Sequence, residues 1–222
     1  MVSRLEYALL ARATYEDNKK DIPKNWEVIN TYESDTSDFA GTAYRNNITG
    51  DIVVAYRGTD SDWKNIQDWT QNNLTIAFNK IPNQFDDALR FYSEVAGANK
   101  DANVSITGHS LGGILAQLVG ACSLKDTVTF NSIGVTHLLD RLNIQLDASL
   151  KYSNITNYSL ANDILYFVHK KTGYQFLGQS YVVTPTNEGP VDAHSNVFAT
   201  GYNPAYPADE CLTQGSKPII LN

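Results

Sequence analysis

The chain has 222 residues, of which 42% are hydrophobic and 18% are charged. This length and balance are typical of one folded α/β domain, residues 1–222, and exclude a generally disordered protein. The formal net charge of -7 argues against a nucleic-acid partner, because phosphate binding requires clustered Lys and Arg. An acidic chain would contact a lipid surface through apolar side chains rather than through charge.

The N-terminal sequence and the cysteines bear on the compartment. Glu6 interrupts the apolar residues near the N-terminus, which predicts neither a secretory signal nor a transmembrane span in this chain. The two cysteines, Cys122 and Cys211, do not make a disulfide framework, and Cys122 is expected to be buried in a helix. We therefore expect an intracellular protein or a bacterial protein exported without a signal peptide.

The N-terminal quarter predicts a helix, a long polar segment and a hairpin. Residues 4–15 carry apolar side chains at helical spacing, which favours a short amphipathic helix. Residues 17–38 are polar and rich in aspartate, so we expect an irregular excursion before the sheet begins. Residues 39–44 and 52–56 flank a turn-rich spacer, which predicts an antiparallel hairpin. The second strand is almost entirely apolar, as in a central strand that is covered on both faces.

The sequence after this strand is Arg57-Gly58-Thr59-Asp60. Open α/β sheets place their sites in loops that follow central strands, so Gly58-Thr59 is a candidate oxyanion donor. Residues 61–78 come next, with apolar side chains in polar surroundings. They favour either a helix and loop packed on the domain or a lid with an acyl-chain surface. The side chains that would contact a substrate are Trp63, Trp69, Leu74 and Phe78.

The remainder of the chain alternates predicted helices and strands. Helices are predicted at residues 83–98 and 112–124, and strands at residues 104–109, 127–131, 155–160 and 174–183. This alternation is typical of a doubly wound α/β fold. We expect a central, mostly parallel sheet flanked by helices.

Gly108-His109-Ser110-Leu111-Gly112 matches the G-x-S-x-G pattern of a nucleophile elbow, with a β-branched strand before it and an apolar helix after it. A strained turn holds the Ser110 hydroxyl clear of its own backbone so that a base can take its proton. The glycines permit strand and helix to approach closely. Ser110 is therefore the candidate nucleophile, and the Leu111 amide at the helix N-terminus is the expected first oxyanion donor.

The base of such a site comes last in the chain order Ser, Asp or Glu, His. The chain has four histidines. His109 is adjacent to the serine and cannot turn back to it, and His137 precedes the suitable acids. His169 is near two lysines and is interpreted as a surface or strand-end residue. His194, on a late loop, is the candidate base.

Two aspartates compete for the role of the acid. Asp163 follows the strand predicted at residues 155–160, and an acid that orients the imidazole should leave the carboxyl end of a strand near the serine. Asp192 is the rival because it is two residues before His194, although side chains at this spacing on one loop point apart more often than together. Asp163 is preferred, and Asp192 remains the alternative.

Several of these motifs resemble class 3 lipases, the family of fungal triacylglycerol lipases and related plant and bacterial phospholipases. The resemblance covers most of the chain and is carried by residues 54–59 (VAYRGT), 68–69 (DW), 107–113 (TGHSLGG), 162–163 (ND), 173–174 (GY) and 193–195 (AHS). It implies an α/β-hydrolase with Ser110 as nucleophile, Asp163 as orienting acid and His194 as base. It also implies an oxyanion hole formed by Thr59 and the Leu111 amide, and a lid in the segment after Thr59. Residues 130–135 depart from the family because they lack the proline often found there.

The sequence thus favours a hydrolase that cleaves carboxylic esters of lipids through an acyl-enzyme, without a metal or cofactor. The expected partner is a lipid or another apolar ester, reached through transient contact with a lipid interface. Two alternatives stay open. One is a short-chain esterase or thioesterase with the same triad, and the other is an inactive binding module with this fold.

Overall fold

The computed structural model describes residues 1–15, 20, 22–58, 71–147, 149–183, 189–195 and 217–218, and only the backbone of residues 71–80, 191, 195 and 217–218. The strands are β1 (Trp26–Glu33), β2 (Ala40–Asn46), β3 (Ile52–Tyr56), β4 (Val104–His109), β5 (Thr127–Phe130), β6 (Ile155–Leu160), β7 (Gln179–Val183) and β8 (Lys217–Pro218). The helices are α1 (Arg4–Ala13), α2 (Gln71–Ala98), α3 (Leu111–Ser123), α4 (Ile164–Thr172) and α5 (Pro190–Ser195).

The eight strands form one sheet in the order of the chain, β1 to β8. Strands β3 to β7 are parallel to one another, and β1, β2 and β8 pair antiparallel. The expected sheet, mostly parallel and flanked by helices, is confirmed. A doubly wound sheet would reverse its strand order, and this sheet does not. Helices α2 and α3 pack on one face of the sheet, and α1 packs on the other face.

Strand β3 separates the two apolar cores. Its five residues are all buried. Ile52, Val54 and Tyr56 contribute to the core under α2 and α3, whereas Val53 and Ala55 contribute to the core under α1. Because successive side chains on a strand point to opposite faces, an apolar run of this kind requires cover on both sides. The predicted central strand is confirmed.

Strand β1 lies within residues 17–38, so the expectation that the sheet begins after this segment is wrong. It pairs antiparallel with β2 from Trp26 opposite Asn46 to Glu33 opposite Ala40. It is at the edge of the sheet, and most of its residues are exposed or half-buried. The register shift between Val28 and Asn30 interrupts the alternation of its side chains, and polar side chains are tolerated at a sheet edge, so its sequence is not a clear strand signal.

Three further expectations differ from the structure. Helix α2 begins at Gln71 rather than near residue 83 and contains Pro82, a residue that usually marks a helix start. Cys122 is exposed rather than buried, because it lies near the end of α3, past its buried run. Strand β7 begins at Gln179, directly after Gly178, whose φ is 76°.

Among the helices of the described residues, none combines the length and apolar character needed to cross a membrane.

Candidate active site

Ser110 occupies the sharp turn between β4 and α3, with φ 58° and ψ -126°. Its N–H donates to the carbonyl of Phe130 at 3.0 Å, and its own carbonyl accepts from the Ser132 hydroxyl at 2.9 Å. A non-glycine residue at positive φ is strained and persists only where its surroundings hold it. These two hydrogen bonds supply that support from the end of β5.

Glycines make this turn possible. A Cβ at Gly112 would lie 2.1 Å from the carbonyl oxygen of Tyr56, at the end of β3. A Cβ at Gly108 would lie 2.2 Å from the carbonyl oxygen of Gly112. Both distances are far inside van der Waals contact with backbone atoms, which have no rotamer to adjust. The strand-turn-helix context that the motif predicts is therefore present in the structure.

Ser110, His194 and Asp163 form one continuous hydrogen-bonded chain. Nε2 of His194 is 3.0 Å from Oγ of Ser110, and Nδ1 is 2.5 Å from Oδ2 of Asp163. The exposed fractions of the three residues are 1%, 0% and 0%. This geometry places Nδ1 to donate to the carboxylate oxygen and Nε2 to accept from the serine hydroxyl.

Asp163 is held by the start of α4. It is the N-cap of this helix, and its Oδ1 accepts the N–H groups of Leu165 at 2.7 Å and Tyr166 at 3.0 Å. These are backbone donors that the first turn of a helix otherwise leaves without partners. One carboxylate oxygen thus fixes the side chain to the helix, and the other faces His194.

The other candidate acid, Asp192, and the other late histidine, His169, are not part of this hydrogen-bonded chain. Asp192 is exposed on α5, two residues from His194. His169 is on α4, with its ring against those of Tyr166 and Phe176. It is buried rather than at the surface, and burial lowers its pKa. The interpretation of His169 as a surface or strand-end residue is wrong, because helix α4 turns it inward.

Of the two expected oxyanion donors, Leu111 lies among the described residues and Thr59 does not. Leu111 is the first residue of α3, so its amide belongs to the free N–H groups at the positive end of the helix. A Cβ at Gly58 would lie 3.3 Å from Cβ of Ser110, so the loop after β3 passes beside the serine. Thr59, Trp63 and Trp69 lie outside the described residues. Leu74 and Phe78 lie on α2, where the description covers the backbone alone.

Two buried residues outside the predicted site are hydrogen-bonded to the backbone of helix α5, which carries His194. His109 is hydrogen-bonded through Nε2 to the carbonyl of His194 at 2.8 Å and through Nδ1 to the hydroxyl of Tyr15 at 3.1 Å. Asn131 donates from Nδ2 to the carbonyl of Ala193 at 3.2 Å. Burial, and next the neighbouring His194, lowers the pKa of His109 well below its ordinary value. The available signals were the place of His109 in the elbow and of Asn131 at a strand end.

We searched the described residues for side chains that could bind a metal ion together. In the part of the chain that the structure describes, no three His, Cys, Asp or Glu side chains come together in a way that could hold an ion. The expectation that the reaction needs no metal or cofactor stays a prediction.

Residues 6–216 match a phospholipase-like family, described as the Tle-like phospholipase domain. The chain belongs to this family. Its similarity extends to "Extracellular phospholipase A1" of Serratia liquefaciens, which is 34% identical over 125 residues. That alignment takes in 54% of this chain but only 37% of the Serratia protein, so the chain matches little more than a third of that relative's length.

Solved structures of fungal proteins have the same fold as this chain. Lip2 lipase of Yarrowia lipolytica superposes with a TM-score of 0.56 at 21% identity, covering 81% of this chain and 77% of its own. MDLA of Penicillium cyclopium superposes with a TM-score of 0.58 at 19% identity, covering 85% and 84%. At these identities the likeness establishes the α/β-hydrolase fold. The predicted resemblance to class 3 lipases is confirmed, and the family to which the chain belongs is phospholipase-like.

Proposed function

We propose that this protein is a serine hydrolase that cleaves carboxylic esters of lipids through an acyl-enzyme. The observation that carries the proposal is the buried chain from Ser110 Oγ through the His194 ring to Asp163, with distances of 3.0 Å and 2.5 Å. Distances of this size suit proton transfer between a nucleophile and its base. The proposal treats residues 1–222 as one domain, which the family match over residues 6–216 supports.

In the first half of the reaction, Ser110 Oγ attacks the ester carbonyl carbon while Nε2 of His194 takes the hydroxyl proton. The tetrahedral intermediate then collapses, and the bond to the alcohol breaks. The alcohol oxygen leaves with the proton held on Nε2, and the acyl group stays on the serine. Asp163 remains ionised and stabilises the imidazolium that forms between these two proton transfers.

In the second half, water replaces the alcohol. Nε2 takes a proton from the water as its oxygen attacks the acyl carbon, and the collapse of the second intermediate returns that proton to Ser110 Oγ. The products are a carboxylic acid and the alcohol already released. The negative oxygen of both intermediates would be held by the Leu111 amide and by Thr59, since donors that face developing charge lower the barrier most.

A lipid substrate is supported by the family and by the Serratia relative, whose name specifies a phospholipase A1. A phospholipid ester would give a lysophospholipid and a fatty acid by the same steps. The segment of Trp63, Trp69, Leu74 and Phe78 stays our candidate for a lid or acyl-chain surface, and the protein would meet the lipid interface transiently. The compartment in which it acts stays a prediction.

Labelling with a fluorophosphonate tests the enzyme proposal. We expect the wild type to be labelled and Ser110→Ala to be unlabelled. Ser105→Ala is the matched control, because Ser105 is another buried serine on β4, hydrogen-bonded to the carbonyl of Ile52 at 3.3 Å. It should be labelled like the wild type. A wild type without Ser110-dependent labelling would refute the enzyme proposal and favour the alternative of an inactive binding module.

Substrate comparison tests the lipid assignment separately. The rates on p-nitrophenyl esters of short and long chains are compared with fatty-acid release from phosphatidylcholine vesicles. We expect activity to rise when the ester is presented in an aggregated lipid. Activity confined to short soluble esters would favour an esterase or thioesterase and would refute the lipid assignment.

A further inference from the structure

Helix α5 carries the candidate base and is only six residues long. A helix of this length is not stable by itself, because the free-energy cost of nucleating a helix is offset by only a few internal hydrogen bonds. In any α-helix, the carbonyls of the last turn have no hydrogen-bond partner within that helix. In α5 the consecutive carbonyls of Ala193 and His194 both accept hydrogen bonds from buried side chains of the sheet.

Asn131 is the first of these side chains. It is fully buried, directly follows β5, and has φ 46°, a left-handed conformation that asparagine tolerates better than most residues. Its Nδ2 donates to the Ala193 carbonyl at 3.2 Å, and its Oδ1 accepts the Leu160 N–H at 3.0 Å. The Leu160 carbonyl in turn accepts the N–H of Asp163 at 3.0 Å. Asn131 therefore joins the helix of the base to the strand end that leads to the acid.

His109 is the second side chain, and its protonation state follows from its partners. A backbone carbonyl only accepts, so Nε2 carries the proton that it donates to the His194 carbonyl. Nδ1 then accepts from the Tyr15 hydroxyl at 3.1 Å, and the Tyr15 oxygen accepts the Gly58 N–H at 3.1 Å. Every donor in this row meets an acceptor. Burial lowers the pKa of His109, which keeps the ring neutral as the row requires.

We propose that Asn131 and His109 are positioning residues of the active site: each holds one carbonyl in the last turn of α5, and together they keep His194 aligned with Ser110 and Asp163. The inference rests on the proposed function. Neither side chain would touch the ester. Their effect would pass through the backbone of the base, since a misplacement of about 1 Å can cost on the order of 100-fold in rate.

The test compares two asparagines. Asn131→Asp keeps the oxygen that accepts from Leu160 and replaces the donor with a carboxylate oxygen that faces the Ala193 carbonyl. Asn157→Asp is the matched control. Asn157 is equally buried in the sheet, donates to the carbonyls of Leu177 and Gln179 at 2.8 Å and 3.0 Å, and has no hydrogen bond to α5 among the described contacts. Both variants lose buried donors of the same kind.

The measurements are made at pH 8 with a soluble p-nitrophenyl ester. For Asn131→Asp we expect kcat to fall about 10- to 100-fold, with KM within about twofold of the wild type. Hydrogen exchange of the peptide 189–195, followed by mass spectrometry, should be faster. Asn157→Asp should keep kcat and the exchange of this peptide near wild-type values, whatever its melting temperature.

A His109 pair gives a second route if Asn131→Asp does not accumulate as folded protein. His109→Leu removes both hydrogen bonds and should lower kcat in the same way, whereas His109→Gln keeps a donor for the His194 carbonyl and should restore most of it. The proposal is overturned if Asn131→Asp and His109→Leu keep kcat and peptide exchange at the level of Asn157→Asp. Because exchange needs no turnover, it decides the anchoring of α5 even if the wild type proves not to be a hydrolase.

Discussion

The Asp163→Asn substitution separates the two tasks that the structure divides between the oxygens of one carboxylate. Oδ1 accepts the N–H groups of Leu165 and Tyr166, and Oδ2 faces Nδ1 of His194. Asparagine has the same shape and caps a helix equally well, so its amide oxygen should keep the helix bonds. Its NH₂ group would then face Nδ1 and favour the tautomer with a proton on Nε2. That tautomer cannot accept the proton of Ser110.

The expected effects on catalysis and on stability differ in size. We expect kcat to fall about 10⁴-fold, equivalent to about 5 kcal/mol of transition-state stabilisation. The free energy of unfolding should change by at most about 1 kcal/mol, because the helix loses only the attraction between its positive end and a charge. Asp163→Ala removes the cap and leaves the imidazole without its partner, so a stability loss of about 2 to 4 kcal/mol is expected.

The assay measures kcat on a soluble ester and urea unfolding of the wild type and both variants. Asp192→Asn is the control, because Asp192 is exposed and should be dispensable. The reasoning is refuted if Asp163→Asn keeps more than about a tenth of the wild-type kcat, since an orienting acid cannot be replaced by an amide at so small a cost. An equal loss in Asp192→Asn would reinstate the rival acid.

Two further predictions concern stability. Gly112→Ala should lower the free energy of unfolding by more than about 4 kcal/mol or prevent folding, because its Cβ would lie 2.1 Å from the Tyr56 carbonyl oxygen. Gly97→Ala on α2 should raise the free energy of unfolding by about 0.5 kcal/mol, because a Cβ there would have nothing within 4 Å. Urea unfolding of the two variants checks this pair, and equal effects would contradict it. His109 has a pKa lowered by burial, so the folded state binds fewer protons than the unfolded state. Its contribution to stability is fully present above the unfolded pKa of about 6.5 and is lost as the pH falls below it, by up to about 1.4 kcal/mol per pH unit. His109→Gln should therefore show a shallower loss of unfolding free energy between pH 6.5 and 5, and an unchanged slope would refute the neutral ring.

The parts of the fold and site that sequence reasoning predicted are those with a local cause. The elbow is predictable because a serine at positive φ between closely packed strand and helix requires glycines at fixed positions. Strand β3 is predictable because an apolar run has to be covered on both faces. Asp163 follows from its place at a strand end, where a capping carboxylate also starts the next helix. Strand β1 is harder to recognise, because a register shift between Val28 and Asn30 interrupts its alternation and an edge strand accepts polar residues.

The positions of His109 and Asn131 depend on partners that no local pattern identifies. Their hydrogen bonds to α5 span 85 and 62 residues of sequence. The ring of His109 cannot turn back to Ser110, so a histidine inside the elbow is not a candidate base. This restriction does not apply to the backbone of His194, which comes to the ring from the far end of the chain. The order of motifs in the sequence predicts that Ser110, Asp163 and His194 come together. It does not predict that the side chains of His109 and Asn131 bind the backbone of α5.

The site is thus supported in two different ways. Asp163 is held by the backbone N–H groups of the helix that it begins, and the strained backbone of Ser110 is held by its hydrogen bonds with Phe130 and Ser132. His194 is on a helix too short to hold itself and depends on side chains from β4 and the end of β5. A relative that kept the G-x-S-x-G motif, the aspartate and the histidine but replaced Asn131 and His109 with apolar residues would keep every recognisable motif and lose the alignment of the base. The motif by itself therefore does not predict the rate.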